Sequence, residues 1–243
     1  MNKILMYHSI GGGGSSEVGA ELYGVSVEKF REQMDYLAHS SQLTAHSQII
    51  ITLDDGLLTN YTNALPILKE FGLKVYFFIL VGKVGAGGYM NWEQIRQLKD
   101  AGMVIGSHGM THRFLTELKD KDLDYELRES KKILEDNLGC AVDYFSVPRG
   151  FCDERVIGKA KKVGYKAVFT SNPKDNDGFK FGRIPVKSDW EFKYFCKVLS
   201  NGLSTSDRLK ESFKSCSKNI LGAKKYDWLR TKILKLNTIN SEL

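Results

Sequence analysis

Three observations predict an α/β protein built on a parallel sheet covered by helices. Strand-like and helix-like segments alternate about seven times along the chain. The strand segments are continuous apolar runs, as in IIITL and VYFFIL, which suits strands buried on both faces. The connections are short, as expected of repeated βα units that close into an α/β barrel or spread into a doubly wound sheet. In either architecture the C-terminal ends of the strands form the ligand-binding edge.

The elements follow in order. KILMY (3–7) is a short strand, followed by the flexible run GGGGSS. SVEKFREQMDYLAH (26–39) is a helix: Val27, Phe30, Met34 and Leu37 recur at helical spacing and Ser26 is a natural N-cap. IIITL (49–53) is a buried strand, NYTNALPILKEFG (60–72) a helix closed by glycine, and KVYFFILVG (74–82) the next strand. WEQIRQLKDAG (92–102) is a helix with a glycine stop and MVIGS (103–107) a strand. KDLDYELRESKKILEDNLG (121–139) is a long helix that again ends on glycine. DYFSV (143–147), the helix 153–164, the strands YKAVFT (165–170) and RIPVK (183–187), and the helix 190–202 complete the body.

At 243 residues, with 42% hydrophobic and 26% charged residues, the composition is that of a soluble globular protein with a sizeable core. No segment approaches the roughly 18 apolar residues of a membrane span, and the N-terminal apolar run is too short for a signal peptide, so a cytoplasmic protein is expected. The four cysteines show neither C-x-x-C nor metal-ligand spacing and read as scattered reduced thiols. Nearly all of the net charge of +6 lies in residues 207–243, which argues against a nucleic-acid-binding body. The expected division is a domain over 1–206 and a basic amphipathic helical tail over 207–243. In the tail, Tyr226, Leu229, Ile233 and Leu236 share one helical face, with Lys225, Lys232 and Lys235 elsewhere, a pattern for packing on the domain or for peripheral contact with the inner face of an anionic membrane.

Unusual residues gather at the strand ends. Asp54 and Asp55 stand side by side after the second strand, where two like charges are costly to desolvate unless solvent, cations or a metal offset them. SHGMTH sets His108 and His112 four residues apart, close enough for both imidazoles to grip one cation. With one aspartate, the pair makes a three-ligand set that leaves a position for water, as in hydrolytic metal sites. The second aspartate is then placed as a general base. On these residues alone, a solvated Asp-Asp-Gly turn remains the other reading.

TLDDG resembles the T-F-D-D-G motif of the polysaccharide deacetylases, the NodB-homology group or carbohydrate esterase family four. SHGMTH is similar to that family's second motif, H-[ST]-x-x-H in broad form. NALPILKEFGLKVYFFILVG, MNWEQIRQLKDAGMVIGSH and ELRESKKILEDNLG followed by FSVPRG resemble the family in the same order, over roughly residues 3–190. The resemblance implies a distorted (β/α) barrel of seven strands that removes acetyl groups from N-acetylated sugars, using one divalent metal, zinc first and cobalt, nickel or iron as alternatives. It assigns Asp54 as general base and Asp55, His108 and His112 as metal ligands. It places Pro148, Arg149 and Gly150 at the oxyanion and substrate, through the backbone N–H of Arg149.

The chain departs from the family pattern in three places. The third motif's usual arginine, which braces the catalytic aspartate, is Ser146 here, and Arg149 or Arg183 is the replacement, Arg183 preferred, with a surface cation as the other reading of Arg183. No late L-x-L-H histidine supplies a general acid. LMYHSI resembles the poly-N-acetylglucosamine deacetylase branch, in which an N-terminal histidine, here His8, takes that role, with a structural hydrogen-bonding histidine after an apolar strand as the other reading. The stretch AHSSQLTAHSQ is short for the family, and its His39 and His46 read as solvated. Asp189 and Trp190 resemble the fourth motif, with a core tryptophan as the alternative. The expected function is de-N-acetylation of an N-acetylhexosamine unit with release of acetate. A deformylase or other amide hydrolase, or a non-catalytic sugar-binding relic, stands as the alternative.

Overall fold

The computed structural model describes residues 3–12, 20–40 and 49–207, with isolated positions between 209 and 232. One all-parallel sheet holds eight strands: β1 (Lys3–Tyr7), β2 (Ile49–Leu53), β3 (Tyr76–Ile79), β4 (Val104–Ser107), β5 (Tyr144–Ser146), β6 (Ala167–Thr170), β7 (Lys180–Gly182) and β8 (Ile184–Pro185). Their order is β7-β6-β5-β4-β3-β2-β1-β8. From β1 to β7 each strand lies beside its predecessor. The order never reverses, so there is no switch point of the doubly wound kind.

The two edge strands are consecutive in the chain, parted only by Arg183. The first half of this segment pairs with β6 (Phe169↔Phe181) and the second with β1 (Leu5↔Ile184). One stretch therefore bridges both edges of the sheet and nearly closes it, which makes a distorted (β/α) barrel. The seventh predicted strand, RIPVK, differs in detail: it begins earlier, at Lys180, and is split at Arg183, which gives eight strands instead of seven.

Closure is visible in the side chains. Tyr76 and Phe78 on β3 meet Phe169 on β6 at ring separations of 5.7 and 5.1 Å, although β4 and β5 lie between those strands in the sheet. Ile4, Phe78, Ala167 and Phe169 form this inner core, separate from the larger core between sheet and helices. Gly106 makes room for it, since a Cβ there would lie 2.5 Å from the Phe78 ring. Side chains two apart on a strand share a face. Above the layer of Ile50, Tyr144 and Phe181 the same strands therefore place Thr52, Ser146 and Arg183, and this polar layer is the floor of the site.

The helices are α1 (Val27–His39), α2 (Leu65–Glu70), α3 (Trp92–Asp100), α4 (Asp120–Leu138), α5 (Glu154–Val163) and α6 (Phe192–Asn201). Ser26 caps α1 by accepting from Lys29 N, and Asn91 forms a capping box with Gln94 on α3. The helix expected over 60–72 opens instead with a wide π turn, Asn60–Ala64, in which Leu65 N donates to Asn60 O. Pro66 lacks the N–H that an α-helical bond to Thr62 needs, which favours the wider turn. The last predicted helix starts at Phe192 rather than Trp190.

Cys140, Cys152 and Cys196 are free thiols, and burial pushes Cys152 up to about 12, which leaves it inert at neutral pH. His39 is exposed beside Asp35, whereas His46 and Cys216 lie outside the described residues. Among the described residues no helix is long and apolar enough to cross a membrane. The tail expected over 207–243 falls largely outside them, although Trp228 and Leu229 are described as helical and exposed.

Candidate active site

The described residues contain three non-glycine positions with positive φ: Asp55 (73°), His112 (58°) and Arg149 (58°). Each follows a strand at its C-terminal end, and each is a residue that the sequence singled out. Left-handed backbone is costly for such side chains and persists where the surroundings enforce it. The turns at Asp55 and His112 bring those two side chains together, and the turn at Arg149 packs beside them, with Arg149 Nε donating to the His112 carbonyl.

Asp55, His108 and His112 offer ligand atoms that all lie within 4.8 Å of one another. Asp55 Oδ1 is 3.4 Å from His108 Nε2 and 3.5 Å from His112 Nε2. His108 Nδ1 lies 2.9 Å from the carbonyl of Ser146. A carbonyl only accepts, so Nδ1 carries the proton and the lone pair of Nε2 faces the cluster. Asp55 Oδ1 is buried without a hydrogen-bond partner. Burial raises the Asp55 pKa, but the imidazoles of His108, His112 and His8, protonated in the acid range where the carboxyl titrates, outweigh it and hold the carboxyl well below its usual range. An ionised, orphaned carboxylate oxygen beside the Nε2 atoms of His108 and His112 fits a divalent cation, and the residues can hold one.

Asp54 is committed differently. Its Oδ1 and Oδ2 accept from Arg183 Nη1 and Nη2 at 2.7 and 2.8 Å, a bidentate pair in which the two side chains are 3% and 1% exposed. Ser146 Oγ donates to Oδ2 at 3.0 Å and accepts from Arg183 Nη2 at 2.7 Å, while Arg183 Nη1 also reaches Thr52 Oγ1 at 3.1 Å. Burial raises the Asp54 pKa, the charge and hydrogen bonds of Arg183 and the charges of His108 and His8 pull it down, and the balance falls below the ordinary 3.8. A carboxylate accepts about four hydrogen bonds. With three protein donors in place, Oδ1 keeps a lone pair for a water.

Arg183 is therefore no surface cation. It occupies the gap between β7 and β8, and Ser146 is small enough to leave room for its guanidinium on Asp54. Arg149 does not brace Asp54. Its Nε donates to His112 O at 3.1 Å and its guanidinium lies 4.7 Å from the centre of the Phe114 ring, in the tight turn Pro148–Gly150. The sequence reading missed Thr52 and the bridging role of Ser146. Polar residues inside apolar strands, one of them two before Asp54, were the available signal.

His8 follows β1 with its ring 5.2 Å from Tyr23, and its Nδ1 is buried without a hydrogen-bond partner. Burial lowers its pKa, Asp55 and Asp54 pull it upward, and the net shift is downward from 6.5. The free protein thus holds His8 neutral at pH 7, and an acid role requires a proton returned to it in the substrate complex. The fourth-motif pair is not brought into this group. Trp190 is buried edge-on against Tyr194 at 5.0 Å and Asp189 is exposed, and among the described residues no hydrogen bond, ion pair or ring contact joins either to Asp54, Asp55 or the three histidines. Trp190 is core.

A family model described as polysaccharide deacetylase matches residues 42–168, just over half of the chain. YxkH of Bacillus subtilis (strain 168), which carries the same family name, is 27% identical over 179 residues, covering 70% of this chain and 64% of its own length. The poly-beta-1,6-N-acetyl-D-glucosamine N-deacetylase of Staphylococcus epidermidis (strain ATCC 35984 / RP62A) is 24% identical over 210 residues, 72% of each chain. The chain spans about half to two thirds of the length of the first curated relatives it matches. Among solved structures, Streptococcus pyogenes deacetylase PplD in complex with acetate superposes with a TM-score of 0.73 at 22% identity, over 82% of this chain and 97% of that one, a likeness of fold. Together with the barrel and its Asp-Asp and His-His strand ends, the family match leads to one conclusion: this chain belongs to the polysaccharide deacetylase family.

Proposed function

We propose that the protein is a metal-dependent hydrolase that removes the N-acetyl group from an N-acetylhexosamine unit and releases acetate. The observation that carries this is the pairing of two unlike aspartates within one site: Asp55 with a free buried oxygen between His108 and His112, and Asp54 locked by Arg183 with one lone pair left over. Asp55, His108 and His112 hold the cation, for which zinc best suits the donor set and cobalt, nickel or iron are substitutes. A divalent cation bound there would supply Lewis acidity toward the acetyl carbonyl and make the attacking water more acidic, within reach of a carboxylate base whose pKa lies below its ordinary value. Asp54 accepts the proton of the attacking water. The backbone N–H of Arg149, aimed by its left-handed turn, donates to the carbonyl oxygen as it gains charge. His8 delivers a proton to the departing amine, so that amide and water become acetate and a free amino sugar.

The relative from Staphylococcus epidermidis is named for a β-1,6-linked N-acetylglucosamine polymer, and the N-terminal Tyr7-His8 pair supports that sugar class. The basic tail, with Trp228 and Leu229 exposed, supports a substrate at the inner face of a membrane, such as a lipid-linked precursor. The test is acetate release from three substrates by the zinc-loaded protein: a soluble β-1,6-linked N-acetylglucosamine oligomer, its N-formyl analogue, and N-acetylglucosaminyl lipid in anionic vesicles. Acetate from the first or third, faster than formate from the second, is the expected result. Faster formate release makes the protein a deformylase, and no release from any of the three contradicts the reading.

A further inference from the structure

The turn between His108 and His112 is held on both sides by groups that the proposed chemistry does not use. On its carbonyl side, Val81 N donates to Gly109 O at 3.0 Å and Gly82 N to Met110 O at 3.1 Å. A Cβ at Gly82 would lie 2.2 Å from that oxygen, so the approach requires glycine. On its N–H side, Gly109 N donates to Ser107 Oγ at 3.1 Å, and Met110 N and Thr111 N both donate to Glu126 Oε2, at 2.7 and 3.0 Å. The Thr111 hydroxyl donates to Glu126 Oε1.

Glu126 is 1% exposed on the core-facing side of α4. Ser130, one turn further on, accepts from Ser107 Oγ at 2.8 Å and donates to the Glu126 carbonyl at 2.6 Å. A carboxylate is seldom buried this deeply without a full set of donors. Successive backbone N–H groups that converge make a natural anion seat, and here the chain fills that seat with its own side chain. The turn ends at His112, whose positive φ needs surroundings that enforce it.

We infer that Glu126 is a positioning residue for the metal centre: by clamping the amides of Met110 and Thr111 it sets the spacing and aim of His108 and His112. This rests on the metal reading of the site. The groups that support metal ligands from behind typically contribute 10- to 100-fold to metal affinity. Glu126→Gln can keep one oxygen on the two amides while the Thr111 hydroxyl rotates to accept from its NH₂, so it serves as the conservative rescue.

The experiment measures zinc affinity by chelator competition and the visible spectrum of the cobalt-loaded protein, with amide hydrogen exchange over residues 107–114 in the metal-free protein. Glu126→Leu is expected to weaken zinc binding about 10- to 100-fold, to alter the cobalt bands and to speed exchange in the turn, while Glu126→Gln stays near wild type. Should Glu126→Leu fail to fold, Thr111→Val, at an exposed position, is expected to weaken zinc binding in the same direction by a smaller factor and to speed turn exchange. Wild-type affinity and cobalt bands in a folded Glu126→Leu, or in Thr111→Val where that variant stands in, overturn the proposal. If the wild type binds no metal, the metal reading falls and the positioning role falls with it; unchanged exchange in the turn shows that the clamp itself is absent.

Discussion

Asp54→Asn is expected to lower acetate release by about 10²- to 10⁴-fold, the usual contribution of a positioned general base, while the metal content stays at the wild-type level. The expectation follows from the division of labour between the two aspartates. Asp55 carries the orphaned oxygen that faces the imidazoles, whereas Asp54 is held by Arg183 and Ser146 and keeps one Oδ1 lone pair for a water. Asparagine keeps the shape and one acceptor but removes the charge that takes the proton. Because the change also leaves Arg183 short of its partner, folding is checked by thermal unfolding and turnover is measured well below the midpoint. A folded, metal-loaded Asp54→Asn that loses less than tenfold would show that another group removes the proton.

Arg183→Leu is expected to carry the largest cost in stability. Removing one partner of a buried, hydrogen-bonded ion pair typically costs about 3–5 kcal/mol, because the remaining charge stays buried without compensation. In a domain of this size that corresponds to a drop of about 6–20 °C in Tm. Arg183 also joins Thr52, Asp54, Ser146 and Thr170 across the seam where the barrel nearly closes, so its loss loosens both edges at once. Arg183→Lys is expected to recover part of the loss, since an ammonium supplies charge but not the two-pronged geometry. Calorimetric unfolding at pH 7 measures the effect, and a Tm within about 2 °C of wild type would place the guanidinium outside the fold's stabilising network.

The order of strands and helices was readable because its signals are local. Continuous apolar runs such as IIITL, glycine stops at 72, 102, 139 and 164, and caps such as Ser26 act over a few residues, and the structure follows them. What could not be read were features set by distant partners. The strand expected over 183–187 lies instead at 180–185 because β6 pairs with its first half and β1 with its second, partners that close the sheet only in the folded barrel. Pro66 was visible, but the π turn before it depends on the packing around Asn60, whose amide donates to the Asp54 carbonyl.

The site divides the same way. Asp54, Asp55, His108 and His112 stand out as motif residues, and the structure brings them together. Arg183 and Ser146 lie far from Asp54 in the chain, and only the closed barrel shows that Arg183 fills the space Ser146 leaves. Asp189-Trp190 carried a motif-like pattern without the geometry, since the burial of Trp190 serves the core. Glu126 and Ser130 went unnoticed, although two polar residues on the apolar face of α4, among Leu123, Leu127 and Leu134, were a readable sign of a buried polar contact.

The most direct test of the account is metal content by elemental analysis, paired with acetate release, on full-length protein purified without chelator and on a folded His112→Ala. The account predicts close to one divalent ion per wild-type chain, most of it lost in His112→Ala together with acetate release, and recovery of both in chelator-stripped wild type when zinc is restored. Wild-type protein that binds no ion after soaking in zinc or cobalt, or that releases acetate at full rate when stripped, would contradict it.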